Sequence, residues 1–180
     1  MLNVPNLITI VRLALVPLMA WCALTGAYPA AAAIFLIAAL SDLADGFIAR
    51  HYKMVSRLGA LLDPIADKLN MFVATIVLAW QDLLPIWLAV AIVARDVAIV
   101  FGIVVYRLLG KKLEMKPSRL SKLNTFMEFA VLTLVFASAA RWIDVDAWLP
   151  RLFGVVLVTV IASAADYTWV WLSGRLKMRR

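Results

Sequence analysis

Residues 29–50 read PAAAAIFLIAALSDLADGFIAR, residues 51–58 read HYKMVSRL, and residues 59–80 read GALLDPIADKLNMFVATIVLAW. Two long apolar runs thus flank a short polar break. Each run is long enough to cross a bilayer as a helix, which takes about 20 mostly apolar residues. The eight residues between Arg50 and Gly59 close the pair into a helical hairpin. Asp42 and Asp45 then meet Asp63 and Asp67 at one end of that hairpin. Ionisable groups inside a membrane span are costly and mark function, so these four aspartates become the centre of the reading.

The rest of the chain has the same character. Of its 180 residues, 65% are apolar and 16% are charged, with mean hydropathy +0.94. A soluble domain is about 45–50% apolar and about 25% charged, and a small globule could not hide the excess. A soluble enzyme, a disordered chain and a disulfide scaffold are excluded. Six apolar runs of spanning length are expected at 7–25, 29–50, 58–80, 83–109, 120–142 and 149–172. The chain therefore reads as one all-α integral membrane domain over 1–180, with six transmembrane helices. No secretory signal is expected, because the first run lacks a basic leader and is long enough to remain as a span. The single cysteine, Cys22, reads as a buried thiol in an apolar run.

Basic residues orient the spans. Lys53 and Arg57 fall in the second connection. Arg107, Lys111, Lys112, Lys116, Arg119 and Lys122 fall in the fourth, and Arg175, Lys177, Arg179 and Arg180 in the tail. The alternate connections carry no charge, only Asp82, or Arg141 and Arg151 balanced by Asp144 and Asp146. Lys and Arg mark the cytoplasmic side, so both termini are expected there, in a multi-pass cell (inner) membrane protein. The net charge of +7 is explained by these loops beside anionic lipid and needs no nucleic acid.

The spacing of the aspartates defines a chemistry. Asp42 and Asp45 are i,i+3, and Asp63 and Asp67 are i,i+4, so each pair shares a helix face. Four neighbouring carboxylates repel one another, and Arg50 and Lys68 supply only two opposite charges. Divalent cations would supply the rest. An all-oxygen ligand set suits Mg²⁺, Mn²⁺ or Ca²⁺ rather than zinc, and four carboxylates can hold two ions for phosphoryl transfer. Gly46, Ala49 and Gly59 lie on the same faces, where a small residue admits a bulky ligand close to the backbone or lets helices pack closely.

The string D-x2-D-G-x2-A-R-x8-G-x3-D-x3-D runs without a gap from Asp42 to Asp67. Its eight fixed positions, at roughly one in twenty each, give a chance match on the order of one in 10¹⁰. The chain resembles the CDP-alcohol phosphatidyltransferases, whose signature this is. It shares their six-helix layout and their opening Asn6-Leu7-x-Thr9-x-x-Arg12. The resemblance implies a CDP-linked lipid donor and two divalent cations, Mg²⁺ or Mn²⁺. It implies attack by an acceptor hydroxyl on the lipid-side phosphorus, with CMP leaving. It assigns Asp42, Asp45, Asp63 and Asp67 to metal, Asp67 also to general-base catalysis, and Gly46, Ala49, Arg50 and Gly59 to the CDP-lipid. A homodimer is implied by the resemblance alone.

The acceptor rests on weaker features. The pair Arg95-Asp96 sits inside an apolar run, and residues 116–125 read KPSRLSKLNT. Both resemble the eukaryotic-type cardiolipin synthases, which implies transfer from CDP-diacylglycerol to phosphatidylglycerol, with cardiolipin and CMP as products. The alternative is a phosphatidylglycerophosphate synthase using glycerol 3-phosphate. Either acceptor carries a phosphate, for which Arg95, Arg119 and Lys122 are the candidates. Glu128 and Asp166 lie in apolar spans without an assigned role. Two other classes also place carboxylates in a membrane or need no catalysis. A cation transporter would need charge continuing across the membrane, and all four aspartates sit near one interface. A non-catalytic scaffold leaves the aspartates unexplained.

Overall fold

The structure is a computed structural model. It describes the backbone of residues 4–52, 59–108 and 118–172, and the side chains of residues 11–41, 68–102, 105 and 118–169. Lys53, Arg57, Lys111, Lys112, Lys116, Arg175, Lys177, Arg179 and Arg180, expected to orient the spans, lie outside the described residues.

Six helices follow one another: α1 (Val4–Leu24), α2 (Tyr28–Tyr52), α3 (Gly59–Trp80), α4 (Ile86–Leu108), α5 (Arg119–Ala139) and α6 (Leu149–Leu172). Every described element is helical, and each boundary lies within three residues of the expected run. With 21–25 residues apiece, the helices are about 32–38 Å long, enough to cross a hydrocarbon core of about 30 Å. Among the described residues, Arg119–Ala139 and Leu149–Trp169 are long and apolar enough to span a membrane. Val11–Leu24, Tyr28–Ser41 and Lys68–Trp80 are shorter apolar stretches.

The chain divides into two compact units. One holds Met1–Leu84 and Leu132–Val145, and the other Pro85–Val131 and Asp146–Arg180, so α5 contributes to both. In the first unit α1 packs against α2 and α3, and α2 against α3. Their buried faces are built from small residues: Ala23 on α1, Ala31, Ala32 and Ala38 on α2, and Ala74 on α3. Small side chains bring the backbones close, which is how helices associate where burial of apolar surface gives no advantage over lipid. Phe35 fills the remaining space against Phe136, with ring centroids 5.2 Å apart. Met19, Leu78 and Leu132 complete this core, while other large apolar side chains face outward. Ile37 and Leu40 on α2, Val90 and Phe101 on α4, and Val158 and Ile161 on α6 are all exposed. Large apolar side chains exposed on several helices are the surface that a helix in lipid presents.

Three helices end in the same turn. At the ends of α1, α3 and α5, a residue with positive φ follows the last turn: Gly26 (φ 78), Asp82 (φ 56) and Arg141 (φ 60). Each is bracketed by the paired backbone bonds of a Schellman cap. Ala27 N donates to Cys22 O, Leu83 N to Leu78 O, and Trp142 N to Ala137 O. These caps satisfy the last carbonyls and reverse the chain within a few residues, which makes the short 26–28 and 81–82 connections feasible. Gln81 ties two of the turns together, its Nε2 donating to Ala23 O at 2.9 Å and to Tyr28 Oη at 3.4 Å. Cys22, expected to be buried, is only half-buried, because it lies off the Val16–Met19–Ala23 core stripe.

Candidate active site and a buried arginine network

The carboxylate site belongs to the first unit. On α2, residues 31, 35 and 38 are buried. Asp42 and Asp45 stand four and seven residues beyond 38, in the same helical register. On α3, Asn70, Ala74 and Val77 are buried, and Asp67 and Asp63 stand three and seven residues before Asn70. Both pairs therefore continue the inner faces of packed helices, one in the last part of α2 and the other in the first part of α3. The side chains of Asp42, Asp45, Gly46, Ala49, Arg50, Gly59, Asp63 and Asp67 lie outside the described residues, and only their backbone places in α2 and α3 are given. Arg12 of the opening motif is buried at 1% exposure on α1, in line with Val16, Met19 and Ala23.

Asn70 adds an observation absent from the sequence expectations. It is 4% exposed, and its side-chain Oδ1 is buried without a hydrogen-bond partner. Buried amide oxygens are nearly always partnered. The four aspartates in register with these faces would bring carboxylate oxygens, and the unsatisfied amide oxygen of Asn70 stands one turn from Asp67. All are hard oxygen donors, the type that Mg²⁺ or Mn²⁺ takes. The residues present fit divalent cations. Among the described residues no group of three His, Cys, Asp or Glu could hold a metal.

The second unit holds a different polar centre. Arg95, on α4, is 6% exposed. Its Nη1 donates to Asp96 Oδ1 at 2.6 Å. Its Nη2 donates to Ser121 Oγ at 2.8 Å and to Ser163 Oγ at 2.7 Å, and Nε reaches the same Ser163 Oγ at 3.3 Å. Tyr167 Oη donates to Ser121 Oγ at 3.3 Å, and the guanidinium stands 6.0 Å from the Tyr167 ring centre. Farther along α5, Asn124 Nδ2 donates to Glu128 Oε1 at 2.6 Å, and Thr159 Oγ1 donates to Asn124 Oδ1 at 2.9 Å. Asn124 and Glu128 are both buried. Thr159, Ser163 and Tyr167 recur every four residues on α6, and Ser121, Asn124 and Glu128 at i, i+3 and i+7 on α5. Two helix faces are thereby laced together by hydrogen bonds, and Arg95 of α4 is held between them.

Of the string at 116–125, residues 118–125 are described. Ser118 caps α5, its Oγ accepting from Ser121 N at 3.1 Å, as an N-cap serine does. Ser121 and Asn124 point inward to Arg95, Thr159 and Glu128. Arg119 and Lys122 are exposed on the first turn of α5 and take no part in the network. Arg95 is buried, whereas Arg119 and Lys122 are exposed. Arg95 does line a cleft of about 100 Å³ with Ala98, Ile99, Ala164, Tyr167 and Thr168. Glu128, without a role from sequence, is the acceptor that orients Asn124. Ser163, Thr159 and Tyr167 were missed, although their four-residue period in an apolar span was a usable signal.

Comparison with known proteins agrees with the acidic string. Residues 2–165 match the CDP-alcohol phosphatidyltransferase family, and the chain belongs to that family. Its members generally use divalent metal ions. The chain is 36% identical, over 92% of its length, to a cardiolipin synthase (CMP-forming) / mitochondrial hydrolase fusion protein of Schizosaccharomyces pombe, of which it covers 30%. It is 31% identical, again over 92% of its length, to a cardiolipin synthase (CMP-forming) of Rattus norvegicus, of which it covers 60%. It is also 31% identical to the CDP-diacylglycerol–glycerol-3-phosphate 3-phosphatidyltransferase of Escherichia coli, with 92% of each chain covered. The chain thus spans less than two thirds of the first two relatives and nearly all of the third.

Proposed function

We propose that this chain transfers a phosphatidyl group from CDP-diacylglycerol to phosphatidylglycerol, giving cardiolipin and CMP. The observation that carries the transferase reading is the acidic string from Asp42 to Asp67, in register with the buried inner faces of α2 and α3. Asp42, Asp45, Asp63 and Asp67 would hold two divalent cations, Mg²⁺ or Mn²⁺. Bound there, the cations supply charge neutralisation at the pyrophosphate and the departing CMP. Asp67 takes the proton from the acceptor hydroxyl, as a carboxylate general base. The freed oxygen attacks the lipid-side phosphorus, a new P–O bond forms, and the bond to CMP breaks with its electron pair leaving on CMP. Gly46, Ala49 and Gly59 leave room for the CDP-lipid beside the backbone, and Arg50 pairs with its phosphates.

The acceptor is inferred from Arg95-Asp96 and the string at 116–125, together with relatives named as cardiolipin synthases. Arg119 and Lys122, exposed at the start of α5, would attract an acceptor phosphate, and Arg95 is the third candidate for it. Relatives named for glycerol 3-phosphate transfer favour the second reading, a phosphatidylglycerophosphate synthase. We assign six spans with both termini cytoplasmic in the cell (inner) membrane, and a homodimer. The deciding experiment gives purified protein CDP-diacylglycerol and Mg²⁺ with either phosphatidylglycerol or glycerol 3-phosphate. Cardiolipin and CMP are expected from the first. Phosphatidylglycerophosphate from the second, with no cardiolipin, would overturn the acceptor and leave the transferase reading intact.

A further inference from the structure

Asn70 is the one described side chain in the first unit that is buried at 4% exposure and holds a side-chain oxygen with no hydrogen-bond partner. It stands on α3 in register with Asp67 and Asp63, three and seven residues earlier. A buried polar atom left without a partner destabilises the fold that contains it, so its retention calls for a reason. An oxygen acceptor awaiting a ligand, one helical turn from Asp67 of the string that reads as a cation site, is such a reason. We propose that Asn70 Oδ1 is a further oxygen contact of the divalent-cation site, taken up directly or through a metal-bound water when the ion is present. This rests on the reading of Asp42, Asp45, Asp63 and Asp67 as metal ligands. Charge supports it as well. A neutral amide adds an oxygen without adding to the mutual repulsion of the four carboxylates, which a fifth carboxylate would increase. Asn70 would also mark how far into the helix pair the site extends.

The test uses the full chain purified in detergent and needs no turnover. Mn²⁺ binding is followed by the loss of the free-ion paramagnetic resonance signal, and thermal unfolding is recorded in EDTA. Asn70→Leu removes the oxygen at similar size, and Asn70→Ala removes it without branched bulk. Both are expected to weaken Mn²⁺ binding about tenfold or more, the scale on which residues behind metal ligands act. The metal-free unfolding temperature of Asn70→Leu should hold or rise, because an unpaired buried oxygen has gone. Asn70→Asp, which keeps an oxygen there, should retain binding. Asp63→Asn separates the two layers of inference. If Asp63→Asn loses Mn²⁺ while both oxygen-free Asn70 variants bind it like the wild type, the role of Asn70 is overturned and the carboxylate site stands. If Asp63→Asn also binds Mn²⁺ unchanged, both are overturned.

Discussion

Ser163→Ala tests whether Arg95 is chiefly a clamp between helices or a ligand for substrate. Ser163 is fully buried, and its Oγ accepts two N–H groups of a guanidinium whose side chain is 4% exposed. Hydrogen bonds to charged groups contribute about 1.5–3 kcal/mol in soluble proteins. Interhelical bonds within membrane bundles average about 0.6 and reach about 1.7 kcal/mol. The 2.7 Å bond carries most of the effect here, since the 3.3 Å bond is at the long limit. Ser121 and Asp96 remain in place, so the charge is not stranded. The expected loss is therefore about 1–2 kcal/mol, read as a lower unfolding midpoint in detergent. A double-mutant cycle with Arg95→Met isolates the pair. In the Arg95→Met background the same serine change should lose less than about 0.5 kcal/mol, leaving a coupling of about 1 kcal/mol. Additive losses would refute the clamp. So would a tenfold rise in the acceptor KM with the midpoint unchanged, because Arg95 would then be acting on substrate.

Four further outcomes are expected. CMP release should stop in EDTA and return with Mg²⁺ or Mn²⁺, and full turnover in EDTA would remove the metal site from the scheme. Asp67→Asn should lower turnover by at least about 10²–10⁴-fold, the scale of a lost general base, while the circular dichroism of the folded protein is retained; near wild-type rates would assign the proton to another group. Arg141→Gly relieves a left-handed residue at φ 60 and should stabilise the chain by about 0.5–1 kcal/mol after the added unfolded-state entropy of glycine. A lowered unfolding temperature would contradict that account of the α5 cap. Cysteines introduced at Lys111 and Asp144 should be labelled from opposite sides of sealed vesicles, and equal labelling from one side would break the six-span topology.

The elements were legible because helices of spanning length are written in composition alone. A run of about 20 apolar residues has few other solutions in lipid, so all six helices were placed within three residues. The acidic spacing reads as a face because a helix converts spacings of three and four into neighbours, and both pairs do fall within helices α2 and α3. The turns were legible in part. Gly26 is a conventional signal for a left-handed cap, but Asp82 and Arg141 adopt the same conformation without one, held there by the Schellman bonds around them.

Sequence alone determined that the chain is all-helical, that four aspartates fall at one end of the α2–α3 hairpin, and which family it belongs to. Each of these depends on local period or on a contiguous string. Only the tertiary structure decided which partner each buried polar side chain finds. Arg95 reads from sequence as a candidate for an acceptor phosphate, and the fold shows Ser121, 26 residues away, and Ser163, 68 residues away, accepting hydrogen bonds from its guanidinium. Asn124 and Glu128 become a pair with Thr159 from another helix. Asn70, unremarkable in an apolar run, is left with an unmatched oxygen. The physical reason is the same in each case. A buried hydrogen bond is decided by directional contact over a few ångströms, and that contact joins residues far apart in the chain through helix packing that no local pattern encodes.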